Sequence, residues 1–262
     1  MSGANSETVL VTGASSGIGW ELAKCFAAGG FHLVLTARNT EALQSLADEL
    51  RRAHQTEVFV LTADLSRPET PEQVFQELQG RGITLDVLVN NAGFGAWGLF
   101  AELPLPRQLE MLQVNITALL HLTGLFLPGM VQRRRGGILN VASVAGFLPG
   151  PGMAVYYATK ACVLSFTEAL AEELTGTNVT VTALCPGPTI TNFDKAAHIN
   201  KGERKVRMAR MSAEAVARYG LRAFRQRKVV AVPGLQNQLL VFLTRFGPRS
   251  IIRKTVRKFN GI

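Results

Sequence analysis

The sequence predicts an α/β fold: a doubly wound, mostly parallel seven-stranded sheet with helices on both faces, in a single domain. Three observations carry this expectation. Short apolar runs alternate with segments of helical spacing from residue 9 onward. The runs are continuously apolar, as strands covered on both faces must be. The first run ends in a glycine-rich turn that opens directly into a helical pattern. Right-handed crossovers then gather ligands at the C-terminal ends of the strands.

Taken in order, Val9–Thr12 is the first strand, and Ile18–Ala28 follows with Ile18, Leu22, Cys25 and Phe26 at helical spacing. Phe31–Thr36 reads as strand, Thr40–Ala53 as helix, Val58–Thr62 as strand and Pro71–Gln79 as helix. Leu85–Asn90 is a buried fourth strand, Leu109–Met130 a long helix and Gly137–Val141 the fifth strand. Tyr156–Thr175 is helical, Val179–Leu184 is the sixth strand and Val229–Val232 the seventh. No repeat or low-complexity linker divides the chain, so residues 1–234 form one domain and 235–262 a basic amphipathic extension.

A hydrophobic fraction of 47% against 18% charged residues suits a globular core. The N-terminus lacks a signal-peptide pattern, and no run reaches the roughly 18 apolar residues of a spanning helix. Cys25, Cys162 and Cys185 are too scattered for a disulfide framework or metal cluster, so they are expected to be reduced in a cytoplasmic protein. The net charge of +9 is uneven: residues 1–200 hold 12 Lys/Arg against 17 Asp/Glu, and residues 201–262 hold 16 against 2. No recognition motif accompanies that basic tail, which argues against nucleic acid. His32, His54, His121 and His198 are isolated, so no metal site is expected, and Arg133-Arg134-Arg135 reads as a solvated loop.

The glycine turn is Thr12-Gly13-Ala14-Ser15-Ser16-Gly17-Ile18-Gly19. Between a strand and a helix, such a turn lets backbone approach a pyrophosphate, which the helix N-terminus stabilises. The second strand leads into Ala37-Arg38. An acidic residue there holds a ribose 2′-hydroxyl, whereas an Arg accommodates a 2′-phosphate, so NADP(H) is favoured over NAD(H). Tyr156 and Lys160 lie four residues apart, on one face of a helix. The ammonium is expected to lower the phenol's pKa, giving a proton donor and acceptor suited to hydroxyl/ketone interconversion.

With these residues the chain resembles the classical short-chain dehydrogenase/reductase family. The matching elements are Thr12–Gly19, Asp64, Asn90-Asn91-Ala92-Gly93, Asn115, Ser143, Tyr156 with Lys160, and Pro186-Gly187 with Thr189. They occur in family order over residues 8–192, about 70% of the chain. The resemblance implies that Tyr156 acts as general acid in ketone reduction and as base in alcohol oxidation. Lys160 would lower its pKa and bind the nicotinamide ribose, Ser143 would hold the substrate oxygen, and Asn115 would hold a proton-relay water. Gly13, Ser15, Ser16, Gly17, Ile18 and Gly19 would cradle the pyrophosphate. Asp64 and Leu65 would contact the adenine, and Asn91, Ala92 and Gly93 would line the adenine ribose side. Pro186, Gly187 and Thr189 would shape the nicotinamide pocket. Family members commonly dimerise through the two helices that here carry Asn115 and Tyr156, so a homodimer or homotetramer is expected.

Phe94–Phe100, Val144–Val155 and a lid over roughly 190–212 should surround the substrate. The first two are apolar (Phe94, Trp97, Leu99, Phe100; Phe147, Leu148, Met153, Val155), which favours a hydrophobic ketone, aldehyde or alcohol of steroid, retinoid or acyl type. In the extension, Leu235, Leu239, Leu240, Phe242, Leu243 and Phe246 make an apolar face. Beyond Gly247-Pro248, Arg249, Arg253, Lys254, Arg257 and Lys258 oppose Ile252, Val256 and Phe259. This helix either lies on an anionic membrane surface or packs on the body or a second subunit, and both readings stay open. The rival to an enzyme is a catalytically silent nucleotide sensor or membrane-surface scaffold of the same fold. The intact Asn115, Ser143, Tyr156 and Lys160 set argues against it.

Overall fold

The computed structural model describes residues 7–197 and 209–262. Within them, β1 (Thr8–Thr12), β2 (His32–Ala37), β3 (Val58–Thr62), β4 (Val87–Asn90), β5 (Gly136–Val141) and β6 (Val179–Leu184) belong to the main sheet. β7 (Thr189–Ile190) and β8 (Met211–Ser212) pair as a separate ribbon, and β9 (Val230–Ala231) completes the main sheet at its edge. The order is β3-β2-β1-β4-β5-β6-β9, with every neighbouring pair parallel. The chain winds outward from β1 in both directions, so a crevice opens above the strand ends between β1 and β4.

Alternate residues of each strand feed opposite layers, as the two-residue period demands. Val9, Val11, Leu33 and Leu35 pack with α1 (Gly17–Ala28), α2 (Thr40–His54) and α8 (Ala213–Arg225). Leu10, Val34, Leu88 and Ile138 pack with α3 (Thr70–Gly80), α5 (Ala118–Gln132) and α6 (Ala154–Glu173). Fully burying one such side chain stabilises by about 1.5–3 kcal/mol, so the uninterrupted apolar strands are what hold both layers to the sheet.

The long helix begins earlier than its apolar spacing suggests. α4 (Leu105–Leu112) starts on Pro104 and Pro106 and continues through a π-helical turn, Gln113–Thr117, into α5. Proline fits the first helical turn, where its missing N–H leaves no intrahelical bond unmade. The combined helix is long and apolar enough to cross a membrane by length and composition, with mean hydropathy 1.5. In the fold, Leu119, Leu122, Phe126 and Met130 are buried while Leu105, Leu109, Leu112 and Leu120 are exposed.

Four further features differ from the sequence reading. The edge strand β9 is only two residues long. α8, unassigned from sequence, is capped by Ser212, whose Oγ accepts from the Ala215 N–H at 3.1 Å, and it buries Val216, Leu221 and Phe224. α7 (Phe193–Ala196) is a single turn. Arg133, Arg134 and Arg135 are not simply solvated. They donate to Leu85 O at 2.9 Å, Gly176 O at 2.9 Å and Asp86 Oδ1 at 2.8 Å, fastening the N-terminal edge of the sheet. The Asp86 carboxylate beside Arg135 raises that guanidinium's pKa.

The extension forms α9 (Leu235–Thr244) and α10 (Arg249–Asn260). α10 turns inward, with Val256 and Asn260 buried. α9 does the reverse: Asn237 is buried, and Leu235, Leu239, Phe242 and Leu243, with Phe246 just past its end, are exposed.

Candidate active site

The glycine turn sits at the end of β1. Gly13 and Gly17 have φ of +65° and +60°, where a side chain is strained. A Cβ on Gly13 would stand 2.9 Å from Ala92 Cα, and one on Gly19 2.5 Å from Gly13 O. The turn is braced from β4: Asn91 Nδ2 donates to Thr12 O at 2.8 Å and to Gly13 O at 3.2 Å. Thr12 Oγ1 accepts from the Asn91 and Ala92 N–H groups at 3.0 and 2.9 Å. Asn91 thus shapes the loop with its side chain. Helix α1 opens without a side-chain cap from Ser16 and without an acidic residue in its first turn, so its N-terminal N–H groups suit an anion. Thr191, which sequence reasoning passed over, lies across the turn, its Cγ2 3.2 Å from the Cβ position of Gly17.

At the end of β2, Arg38 projects into solvent with its side chain 67% exposed, and Nη1 stands 3.8 Å from Glu110 Oε1. Glu110 also holds Arg107 at 2.9 Å, and Arg107 lies over the Phe94 ring at 3.8 Å from its centroid. Phe94 therefore faces this polar cluster. Burial opposes ionisation of Asp64, but bonds from Ser66 and the charges of Arg38 and Arg67 outweigh it and hold the carboxyl low. Asp64 Oδ1 accepts from the Ser66 N–H at 3.0 Å. Leu65 buries its side chain in the core, so only its backbone can meet a base.

The residues expected to handle the proton lie about the ends of β4, β5 and β6. Lys160, on α6, is 6% exposed, and its Nζ donates to Val141 O at the end of β5 at 2.7 Å. Burial lowers its pKa to about 8, so it remains mostly charged at neutral pH. Nζ lies 5.9 Å from the centroid of the Tyr156 ring, one turn earlier. Cys185 lies beside this ammonium, but burial pushes its thiol up to about 12, so it stays neutral.

Asn115 lies in the π turn, where one extra residue per turn reorients its side chain. Its Oδ1 accepts from the Phe94 N–H at 3.0 Å, and its Nδ2 donates to Phe94 O at 2.9 Å and Thr159 Oγ1 at 3.1 Å. It therefore fastens the loop after β4 to α6. A Cβ on Gly93 would stand 3.0 Å from Asn115 Oδ1 and 3.5 Å from Lys160 Nζ, so only a small residue fits between them.

Ser143 follows β5. Its Oγ accepts from the Ala145 N–H at 3.1 Å and donates to Pro186 O at 3.3 Å, which ties it to the Pro186-Gly187 loop. Thr189 Oγ1 donates to Gly187 O at 2.9 Å, and the Asn237 amide lies against Gly187. Beneath the site, Asn90 Nδ2 donates to Asn140 Oδ1 at 3.0 Å and Thr123 Oγ1 at 3.2 Å, and Asn140 Nδ2 donates to Thr167 Oγ1 at 2.9 Å. This buried network, missed in the sequence, locks β4, β5 and α6 in register.

Tyr156 is flanked by Met153, Trp97, Tyr157, Phe193 and Ala197, with the Phe193 ring centroid 5.1 Å away. The expected apolar wall is thus present but differently composed. Phe147 packs against the cluster of Leu119, Ala142 and Val163, and Leu99 and Phe100 are exposed. Of the anticipated lid, residues 198–208, with His198, Lys201, Arg204, Lys205 and Arg207, lie outside the described residues, while Arg210 pairs with Asp194.

A family model described as short chain dehydrogenase matches residues 7–202. The chain is 35% identical over 199 residues to dehydrogenase/reductase SDR family member 7B of Mus musculus, covering 75% of this chain and 62% of that protein. It superposes on a short-chain dehydrogenase from Sphingobium yanoikuyae in complex with NADPH with a TM-score of 0.82 at 35% identity, over 94% of this chain and 96% of that one. A short chain dehydrogenase/reductase from Burkholderia phymatum in complex with NAD gives a TM-score of 0.80 at 28% identity, over 93% and 94% of the two chains. The chain belongs to the short-chain dehydrogenase/reductase family, whose oxidoreductase chemistry on alcohols and carbonyls uses a nicotinamide cofactor.

Proposed function

We propose that this chain is an NADP(H)-dependent reductase of hydrophobic ketones or aldehydes. The observation that carries the reading is the charged, fully enclosed Lys160 one turn from Tyr156, beside an apolar wall. A buried ammonium is costly unless it is paired or hydrogen-bonded; this one is held by Val141 O, and its charge favours the phenolate and so eases proton transfer at the Tyr156 hydroxyl. When bound, the nicotinamide supplies or accepts the hydride. Tyr156 gives the proton to the carbonyl oxygen in reduction and removes it in oxidation. Ser143, by exchanging its 3.3 Å bond to Pro186 O, orients that oxygen. Asn115 positions the loop over Lys160, and its family role in holding a relay water is compatible with the second lone pair of Oδ1.

The residues fit the dinucleotide. Gly13 and Gly19 let the turn close against Asn91 and Ala92, and the turn Gly13–Gly19, with Ser15, Ser16, Ile18 and the neighbouring Thr191, would hold a pyrophosphate at the uncapped N-terminus of α1. Arg38, after Ala37, supports a 2′-phosphate in preference to a bare ribose. Titration of NADPH and NADH by cofactor fluorescence tests this, and tighter NADH binding would contradict it. As the family resemblance implies, a second copy of this chain would pack on the helices that carry Asn115 and Tyr156, α4–α5 and α6, where leucines of α4 and α5 are exposed.

A further inference from the structure

The apolar stripe of α9 is turned away from the body. Leu235 is 82% exposed and Phe246 72%, with Leu239, Phe242 and Leu243 each more than half exposed. Spacings of three and four residues set them along one side of the helix, and the Phe242 and Phe246 rings meet at 5.1 Å. The inward side carries Asn237, whose Nδ2 donates to Pro233 O at 2.7 Å beneath the Gly187 loop. The Pro233 bond is local; the packing of the Asn237 amide against Gly187 sets the rotation of the helix, so the leucines cannot turn in without losing it. Contiguous apolar surface of this kind marks an interaction site.

Charge selects the partner. Residues 235–262 contain six cations and no Asp or Glu: Arg245, Arg249, Arg253, Lys254, Arg257 and Lys258. All six are exposed. Two copies meeting through this surface would place like charges together, whereas anionic headgroups would match them. We propose that α9 and α10 form a docking surface for an anionic phospholipid membrane, with the α9 stripe among the acyl chains and the cations at the headgroups.

The surface is wired to the substrate side. Asn260, at the end of α10, accepts at its carbonyl from Trp97 Nε1 at 3.1 Å and donates from Nδ2 to Pro151 O at 2.7 Å, while Ile262 lies against Gly152. Both loops flanking Tyr156 are therefore held by the membrane-facing segment. Docking presents the site to a lipid-dissolved ketone, which rests on the proposed reductase activity; the docking itself does not.

Co-sedimentation of the full chain with vesicles tests this without any turnover. Binding is expected to phosphatidylcholine vesicles containing phosphatidylglycerol, weakened by salt, and not to phosphatidylcholine alone. Leu239→Gln, Phe242→Gln and Phe246→Gln together are expected to weaken it at least ~10-fold, and Arg249→Gln and Arg253→Gln roughly five-fold each, with NADPH binding kept as the control for folding. Failure of the unaltered chain to bind phosphatidylglycerol vesicles, or equal binding to both vesicle types, overturns the proposal. So does a triple variant whose oligomer dissociates while vesicle binding is unchanged, since the stripe would then be an interface between copies.

Discussion

Helices α6 and α9 break the same rule in opposite directions. α6 buries a lysine among core residues, and α9 holds leucines and phenylalanines in solvent over a buried asparagine. Ordinary amphipathic packing would place both the other way. In each case the inversion is held by a specific contact with the body: Lys160 Nζ to Val141 O in α6, and the Asn237 amide against Gly187 in α9. Departures from local consistency concentrate where a protein does something. On the readings proposed above, the α6 departure supplies charge to chemistry and the α9 departure supplies surface to a membrane.

Breaking the α6 side should have the largest effect. Lys160→Met is expected to reduce kcat by roughly 10²–10⁴-fold, the range lost when a proton donor is mistuned. It should also change the pH dependence of stability. Folding lowers this lysine from 10.5 to about 8, so between those values the unfolded chain holds more protons and stability rises with pH. The contribution is present above the unfolded value and lost as pH falls through about 8. Urea unfolding of the unaltered chain without cofactor, against Lys160→Met, should show a gain on the order of 3 kcal/mol from neutral pH to pH 10.5, absent in the variant.

Arg38 is the exposed counterpart of Lys160, a cation left in water for a ligand to meet. Arg38→Ala is expected to weaken NADPH binding by about 10–100-fold and to leave NADH almost unchanged, measured by fluorescence titration. The second exposed apolar face, on α4, contrasts with α9 because it carries charges of both signs, with Arg107 paired to Glu110 at 2.9 Å, and it is here that we propose a second copy of the chain. Leu109→Glu is expected to shift sedimentation toward the monomer by at least ~10-fold in dissociation constant. The smallest effect should come from Glu110→Gln. Removing the carboxylate 3.8 Å from Arg38 is expected to tighten NADPH by about two- to five-fold, because an exposed pair contributes little.

The sequence displayed the sheet because strands buried on both faces leave uninterrupted apolar runs, and it displayed the proton site because helical periodicity fixes the Tyr156/Lys160 pairing. The π turn at Asn115 was not legible, since one extra residue in a turn leaves no compositional mark. The Asn90, Asn140, Thr123 and Thr167 network was hidden too, because its partners are 27 to 50 residues apart and each looks misplaced alone. α8 carried readable signals, a Ser212 cap and Ala217, Leu221 and Phe224 at helical spacing, obscured by Arg218, Arg222 and Arg225. The rotation of α9 depended on a contact with Gly187, fifty residues away.

In the proposed reaction Tyr156, tuned by the buried Lys160, moves the proton. The most direct test is NADPH oxidation by a hydrophobic ketone in the unaltered chain and in Tyr156→Phe, with NADPH affinity measured in both. A rate loss of roughly 10²–10⁴-fold with unchanged affinity is expected. Turnover in Tyr156→Phe within a few-fold of the unaltered chain would contradict the account.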